Sequence, residues 1–236
     1  MWSTIKRNIR RRLAQHLGVP TISSALERIC ISEFTPQNIF DVGAYTGEFA
    51  MLCRKIWPHA NLTCFEVLPH RVQELRDWCA QDGNAIVIES LLGAESKDAV
   101  AFHQMETASS VLEEHVPQTA SVRHYPMQTI DEIVANGIAV PNLLKLDVQG
   151  YELEVLKGAT NSLPKISAIL AEVNLIDIHR GAPLLDELIL FMRDRRFIAY
   201  DICGLTRRPL DRALWQADFI FVPHDSPLRS DRRWQS

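Results

Sequence analysis

Two patterns of apolar residues alternate along most of the chain: short continuous runs and stripes at helical spacing. The short runs in the first half, which predict β-strands, are residues 38–42, 61–67 and 85–88. Between them, one stripe ends before Pro58, and another begins at Pro69 and ends near Gly83, so both predict helices. Because strands and helices alternate, we predict a parallel sheet with helices on both faces.

The alternation resumes after an irregular segment at 91–128, in which two short runs predict edge strands, 99–102 and 122–127. Thr129 and Glu132 have the spacing of a capping box and predict the start of a short helix. Further strands are predicted at 142–150, 166–173, 197–203 and 217–222, and further helices at 150–157 and 183–196. The 142–150 run is too apolar for an edge strand and is therefore predicted to be central. We predict one α/β domain with seven strands in its main sheet.

Residues 1–35 have a different pattern from the rest of the chain. Apolar residues recur there at three- or four-residue steps, at Trp2, Ile5, Ile9, Leu13 and Leu17. The basic residues that precede the first acid, Glu27, are Lys6, Arg7, Arg10, Arg11 and Arg12. This pattern predicts a basic amphipathic helix packed on the domain; contact with an anionic membrane or a partner is the alternative. We divide the chain into this extension (1–35), the domain (36–223) and a C-terminal tail (224–236).

The composition of the chain limits the classes of function that it can have. A chain of 236 residues, 47% of them hydrophobic, can build one sizeable core. A net charge of −4 gives no electrostatic reason to expect a nucleic acid partner. No apolar run is long enough to span a bilayer, and no signal peptide is recognised. The five cysteines form no CxxC pair and the histidines have no metal-binding spacing, so we predict a reduced, cytoplasmic protein without a metal site.

The first predicted strand ends in a glycine-bearing turn, Asp41-Val42-Gly43-Ala44-Tyr45-Thr46-Gly47. A dinucleotide turn reads GxGxxG, because the pyrophosphate approaches bare backbone amides at a helix N-terminus. Here Asp41 replaces the first glycine, and its carboxylate would repel an anion. A ligand with an ammonium and a carboxylate fits better, with Asp41 and turn carbonyls near the ammonium and amides near the carboxylate. S-adenosylmethionine is such a ligand.

The second predicted strand ends in Glu66, followed by Val67. A carboxylate at this strand end accepts hydrogen bonds from both ribose hydroxyls of a bound nucleoside. Because NAD also uses such an acid, Glu66 alone does not separate the two cofactors. The Asp41–Gly47 turn disfavours NAD, and we therefore predict S-adenosylmethionine.

The chain resembles the FkbM family of S-adenosylmethionine-dependent methyltransferases over roughly residues 36–222. The segments that carry the resemblance are "FDVGAYTGEF", "FEVLPHRVQEL", "TIDEI", "LLKLDVQGYELEVLKGA" and "AILAEV". The resemblance implies a class I methyltransferase (Rossmann-like) fold with strand order 3-2-1-4-5-7-6 and an antiparallel strand seven. It also implies O-methylation of a hydroxyl on a sugar, glycan or small secondary metabolite. The chain departs from the family at Gln149, where many members have glutamate, and in the segment that follows Glu172.

The resemblance also implies positions for the methyl donor. The turn at 41–47 would line its methionine moiety, Glu66 its ribose, and the corner after strand three its adenine, with Asp147 facing the reacting centre. The residues that we assign to cofactor binding are Asp41, Gly43, Ala44, Tyr45, Thr46, Gly47, Glu66, Val67, Ser90, Leu91, Leu92 and Asp147.

Methyl transfer to a hydroxyl requires alignment of the acceptor and removal of its proton. Lys145 and Asp147 lie two residues apart on one strand and therefore share a face. Glu172 ends the neighbouring strand, and we assign Asp147 and Glu172 to the active site with Lys145 anchoring one of them. A structural ion pair of Lys145 with Asp131 or Glu172 is the alternative. His179, a candidate base at neutral pH, has a solvated loop position as its alternative.

Three other interpretations stay open. An NAD-dependent oxidoreductase is disfavoured by Asp41, and a catalytically inactive methyltransferase-fold scaffold is the second alternative. A lipid-linked glycan acceptor would explain the basic N-terminal helix by peripheral contact with the inner membrane face. Ser109 and Ser110, in the irregular segment, are either ligand contacts or part of an ordinary turn. Tyr151, which follows Gly150, covers either the acceptor or the start of a helix.

Overall fold

The computed structural model of the chain describes residues 18–115 and 121–235. Its helices are α1 (Ile22–Ile31), α2 (Glu48–Ile56), α3 (Pro69–Asp82), α4 (Ile130–Ala135), α5 (Glu152–Lys157) and α6 (Leu185–Asp194). Its strands are β1 (Asn38–Val42), β2 (Asn61–Phe65), β3 (Ala85–Ile88), β4 (Leu91–Leu92), β5 (Lys97–Gln104), β6 (Ser121–Gln128), β7 (Leu143–Leu146), β8 (Ala168–Asn174), β9 (Phe197–Arg207) and β10 (Leu214–Pro223).

The main sheet has seven strands in the order β3-β2-β1-β7-β8-β10-β9. β1, β2, β3, β7 and β8 pair in parallel, whereas β10 is antiparallel to both of its neighbours. This is the order 3-2-1-4-5-7-6 with an antiparallel strand seven, which confirms the predicted class I methyltransferase fold.

The irregular middle of the sequence forms a second sheet. β4, β5 and β6 pair in the order β4-β6-β5. The runs at 99–102 and 122–127 are therefore strands, as predicted, but they form no edge of the main sheet. Phe102, Tyr125 and Met127 bury an apolar cluster against Leu68 and Leu91. The small sheet thus covers the loops that follow β2 and β3.

The central strands are apolar because both of their faces are covered. On β7, Leu144 belongs to the cluster under α5 and α6, and Leu143 to the cluster under α1 and α2. Two charged side chains interrupt the second cluster: Asp41 on β1 and Lys145 on β7, with 2% and 7% of their surfaces exposed. The β1–β7 register places these two residues side by side.

The part of the N-terminal extension that the structure describes is α1, whose Ala25, Leu26 and Ile29 are buried in the domain core. Arg28 of this helix forms an ion pair with Asp201 on β9. The predicted basic helix, with its membrane or partner contact, lies outside the described residues. Within residues 18–115 and 121–235, no helix has the length and apolar character needed to cross a membrane.

Candidate active site

A cavity of about 250 Å³ lies where β1, β2, β7 and β8 end. Ligands of open parallel sheets bind at this edge, at the point where the strand order reverses, which here is between β1 and β7. The predicted site residues that line the cavity are Gly43, Tyr45, Glu66, Val67, Ser90, Leu91, Leu92, Asp147 and Glu172. The structure therefore brings these residues together, and their contacts with a ligand stay predictions.

Glu66 is held in the cavity wall by backbone amides. Its Oε2 accepts a hydrogen bond from the Tyr45 amide at 2.8 Å. Its Oε1 accepts from the amides of Val67 and Leu68 at 2.7 and 2.8 Å. A carboxylate offers about four acceptor positions, and these three amides occupy three of them, so about one position is left for a ligand hydroxyl. The carboxylate is thus oriented before any ligand arrives.

The turn after β1 depends on a missing side chain at Gly43. Gly43 has φ +73°, and a Cβ atom there would lie 1.9 Å from the backbone oxygen of Asp147. The Gly43 and Ala44 amides donate to the Phe65 carbonyl at 3.1 and 3.0 Å. The turn is therefore fixed by the strand ends on both sides, and it presents backbone to the cavity.

Asp41 does not line the cavity. Its Oδ1 lies 3.0 Å from the Lys145 ammonium, which also donates to the Gly43 carbonyl at 2.8 Å and lies 3.3 Å from Asp147 Oδ2. The carboxylate of Asp41 is buried behind the turn and paired with Lys145, and its contact with the donor's ammonium stays a prediction. Lys145 is likewise outside the cavity lining, and its ion-pair partners are Asp41 and Asp147, not Asp131 or Glu172.

The remaining residues of the turn also lie elsewhere. Ala44 and Thr46 line a second, neighbouring cavity that includes Lys145 and Phe49. Gly47, with φ +76°, is the residue that caps α2. The predicted donor contacts of Ala44, Thr46 and Gly47 therefore have no support from the lining of the main cavity.

Two carboxylates and the side-chain amide of Gln149 line the end of the cavity beneath β7 and β8, and a second amide, from Gln216, supports one of the carboxylates from outside the lining. Gln149 Nε2 donates to Asp147 Oδ1 at 3.0 Å and to Glu172 Oε2 at 2.9 Å. Gln216 Nε2 donates to the same oxygen of Glu172 at 2.6 Å. Gln149 holds a left-handed backbone with φ +51°, and Ser110 donates to its carbonyl at 2.8 Å. The amide of Gln149 thus joins two strand ends.

Burial makes this end of the cavity hard to ionise fully. It raises the pKa of Glu172 well above the usual range, and neighbouring carboxylates, those of Asp147, Glu152 and Asp218, raise it further. Asp218 on β10 lies opposite Glu172 on β8 in the sheet register. Burial raises the pKa of Asp218 to about 6. Burial alone would lower the pKa of Lys145, but the Asp41 and Asp147 carboxylates outweigh it and raise this pKa. The ammonium therefore stays charged.

His179 is buried, with 2% of its surface exposed, and does not line the cavity. Its backbone bridges to Glu114, which lies in the segment between β5 and β6. Burial lowers the pKa of His179. His179 therefore packs inside the loop and does not face the cavity, and its role as the base stays a prediction.

Sequence reasoning missed a set of contacts that close one side of the cavity. The Tyr45 hydroxyl donates to Glu106 Oε2 at 3.0 Å, and Arg71 donates to both at 2.7 and 3.0 Å. The Arg71 guanidinium also stacks over the Tyr45 ring at 4.2 Å. We name these three residues the Tyr45–Arg71–Glu106 latch. Gln149 was visible in the sequence as a departure from the family, whereas nothing in the sequence marks Glu106.

The Methyltransferase FkbM domain model matches residues 41–199. The chain belongs to the FkbM methyltransferase family. Hexuronic acid methyltransferase AglP of Haloferax volcanii is 29% identical over 62% of the chain and 60% of its own length. The 31-O-demethyl-FK506 methyltransferase FkbM of Streptomyces tacrolimicus is 28% identical over 67% of the chain and 72% of its own. The chain thus spans less than two thirds of AglP.

Solved methyltransferase structures show a distant likeness. Precorrin-6y C5,15-methyltransferase from Geobacter metallireducens has a TM-score of 0.49 and 10% identity over 87% of each chain. TrmK from M. capricolum, solved with S-adenosylhomocysteine, has a TM-score of 0.49 and 8% identity over 80% of this chain and 63% of its own. The fold is therefore assigned from the strand order of the main sheet and not from this likeness.

S-adenosylmethionine is the methyl donor of this family, and the cavity residues fit it. Glu66 would offer its oriented carboxylate to a ribose hydroxyl, Leu91 and Phe102 would form apolar walls beside the base, and Gly43 would allow the ligand to approach the backbone closely. Among the described residues, no three His, Cys, Asp or Glu side chains are arranged to hold a metal ion.

Proposed function

We propose that this protein transfers a methyl group from S-adenosylmethionine to a hydroxyl of a sugar, glycan or small-molecule acceptor. Family membership supports methyl transfer. By their names, AglP methylates a hexuronic acid and FkbM methylates 31-O-demethyl-FK506, in which the methyl is missing from an oxygen. An oxygen-rich small molecule is therefore the acceptor class that these relatives favour.

The observation that carries the proposal is the chemical contrast between the two ends of the cavity. One end combines Glu66 with apolar Leu91 and Phe102, which suits a nucleoside. The other end has Asp147 and Glu172, bridged by Gln149. A nucleoside bound at the first end directs the methyl group of the donor toward these two carboxylates. A hydroxyl substrate needs groups that accept its hydrogen bond and remove its proton, and carboxylates can do both.

In this proposal the donor supplies an electrophilic methyl group on a cationic sulfur. Glu172 takes the hydroxyl proton, because burial and its acidic neighbours raise the pKa of its carboxyl group and so make its carboxylate a stronger base. Asp147, with 41% of its side chain exposed, accepts a second hydrogen bond from the acceptor and aligns it. Gln149 and Gln216 occupy Glu172 Oε2 and so direct Oε1 toward the acceptor.

Calorimetric titration with S-adenosylhomocysteine tests the donor half of this proposal. Hydrogen bonds to a charged acceptor contribute about 1.5–3 kcal/mol each, so Glu66→Ala is expected to weaken binding at least about 10-fold. Glu89→Ala is the matched control, because Glu89 pairs with Arg76 at 2.9 Å outside the cavity lining. Equal affinities for both variants and the parent would contradict the assignment of Glu66, and an absence of binding would favour an inactive scaffold.

A panel of sugars, glycosides and hydroxylated metabolites tests the acceptor half, with formation of S-adenosylhomocysteine as the readout. For any acceptor found, Glu172→Gln is expected to lower kcat by about 100-fold or more, since it removes the base. Its affinity for S-adenosylhomocysteine is expected to stay within about 3-fold, because the donor end is intact. An unchanged kcat would exclude Glu172 as the base.

A further inference from the structure

The hairpin that joins β9 to β10 exposes an unusual combination of side chains. We name residues 205–214 the basic hairpin. Leu205 and Leu210 have 51% and 84% of their surfaces exposed. Arg207 and Arg208 lie between them in the sequence and Arg212 follows, with Asp211 as the single acid of this segment. The hairpin is therefore cationic and apolar on a chain whose net charge is −4.

Local contacts give the hairpin tip a defined shape. Arg208 pairs with Asp211 at 2.6 Å, and Arg207 donates to the carbonyl of Arg212 at 3.0 Å. The Arg208 amide donates to the Ala213 carbonyl at 3.0 Å. Leu210 lies between these contacts and packs in no buried cluster of the described residues. Burial of Leu210 against an apolar phase would thus require no rearrangement of the tip.

The basic hairpin continues directly from strands that form the active-site edge. Gln216, which donates to Glu172 in the cavity, pairs with Thr206 at the base of the hairpin. The Leu175 amide, which follows β8, donates to the Trp215 carbonyl at 2.7 Å. From Gln216 the tip extends roughly 10–15 Å beyond this edge at the usual rise of a strand. Whatever binds the tip therefore faces the same side as the cavity.

We propose that the basic hairpin docks the active-site edge on an anionic lipid membrane, with Leu205 and Leu210 inserted between headgroups. Arginines around an exposed leucine match an interface that is anionic outside and apolar beneath. A second copy of this chain fits less well, because a two-fold contact would bring the same arginines together. The proposal does not depend on the proposed reaction, and it orients the cavity toward hydroxyls displayed at a membrane surface.

Co-sedimentation of the full chain with lipid vesicles tests this docking. Binding is expected to phosphatidylcholine vesicles that contain phosphatidylglycerol, to be weak with phosphatidylcholine alone, and to fall with added salt. The variant with Leu210→Ser and Arg212→Ser is expected to bind the anionic vesicles at least about 10-fold more weakly. The matched control carries Leu190→Ser and Arg193→Ser on α6, where Leu190 has 57% of its surface exposed.

Titration of both variants with S-adenosylhomocysteine reports the donor site separately, so a failed methyltransferase proposal leaves this test intact. Equal vesicle binding by the hairpin variant and the parent would overturn the proposal, and so would an absence of binding by the parent. A dimer in solution that the hairpin variant loses would assign the surface to a second copy and would also overturn it.

Discussion

At the scale of single residues, Gly43 shows how strongly the donor site depends on the space that a side chain would fill. An alanine there would place its Cβ 1.9 Å from the Asp147 carbonyl, with φ at +73°. Gly83→Ala is the matched control, because Gly83 has φ +81° but no atom within 4 Å of its Cβ position. Both variants carry the cost of a left-handed alanine, about 1–2 kcal/mol.

We therefore expect Gly43→Ala to lower the free energy of unfolding by at least about 2 kcal/mol more than Gly83→Ala. Gly43→Ala should also abolish binding of S-adenosylhomocysteine. The turn at Gly43 and the backbone at Asp147 must move apart to make room for the methyl group of the alanine side chain. Denaturant unfolding and calorimetry check both expectations. If the two variants have the same stability and affinity, the close approach at Gly43 is not important for the site.

Single residues also show where sequence reasoning about the site succeeded. Glu66, Asp147 and Glu172 follow or end predicted strands, and the carboxyl ends of parallel strands meet at one edge, so their placement around one cavity was predictable. The ion-pair partner of Asp41 could not be predicted in this way. That partner, Lys145, lies on β7, and only the register of β1 against β7 brings the two together.

At the scale of elements, the pair of Asp41 and Lys145 couples β1 to β7. Breaking a buried ion pair leaves an uncompensated charge, so Lys145→Met is expected to cost about 3–5 kcal/mol of unfolding free energy. Adding Asp41→Asn removes the stranded carboxylate, and the double variant should regain at least about half of that loss. Urea denaturation of the parent, both single variants and the double variant measures the coupling. Strictly additive losses would show that the two side chains do not act as a pair.

The Tyr45–Arg71–Glu106 latch connects three elements at one side of the cavity: the turn after β1, α3 and the segment that follows β5. Arg71→Ala removes its hydrogen bonds to Tyr45 and Glu106 and its stacking on Tyr45, so the segment around Glu106 is freer to move. We expect S-adenosylhomocysteine to dissociate about 3–10-fold faster from this variant, as stopped-flow displacement would measure.

Arg76→Ala controls for the loss of an arginine from α3, because Arg76 pairs with exposed Glu89 instead. Its dissociation rate should match that of the parent. If Arg71→Ala also leaves the rate unchanged, the latch does not limit release of the ligand.

The boundaries of the elements show why the main sheet was more predictable than the small one. Strands β1 and β3 and helix α3 have the predicted bounds, because turn residues punctuate strong apolar runs there. The strands β5 and β6 are eight residues long, yet their runs predicted four and six residues. One face of these strands is exposed, so their apolar signal is weak, and no local signal states which sheet a strand joins.

At the scale of the whole molecule, the active-site edge concentrates buried acids, and this has a consequence for stability. Burial raises the pKa of Glu152 to about 7, although amide hydrogen bonds from Val148 and Gly150 oppose the rise. An acid whose pKa is raised in the folded state binds its proton more tightly there than in the unfolded chain. Its contribution to stability is therefore largest below about pH 4.5, its usual pKa, and is lost as pH rises through about 7.

Glu152→Gln keeps an acceptor oxygen for the two amides but cannot ionise. We expect this variant and the parent to have similar unfolding free energies near pH 4.5, and the variant to be more stable by about 2–3 kcal/mol at pH 8. Glu154→Gln is the matched control on the same helix, because Glu154 is partly exposed and pairs with Lys157 at 2.5 Å. Its unfolding free energy should follow that of the parent at every pH.

Urea unfolding at intervals from pH 4.5 to 8 measures the difference between each variant and the parent. The difference is the informative quantity, because His179 contributes with the opposite sign: burial lowers its pKa, so its part of the stability increases as pH rises. Since His179 is present in every protein compared, its contribution cancels. A difference between Glu152→Gln and the parent that stays constant with pH would show that Glu152 is already ionised in the folded protein, and that the acidic edge is better solvated than its burial indicates.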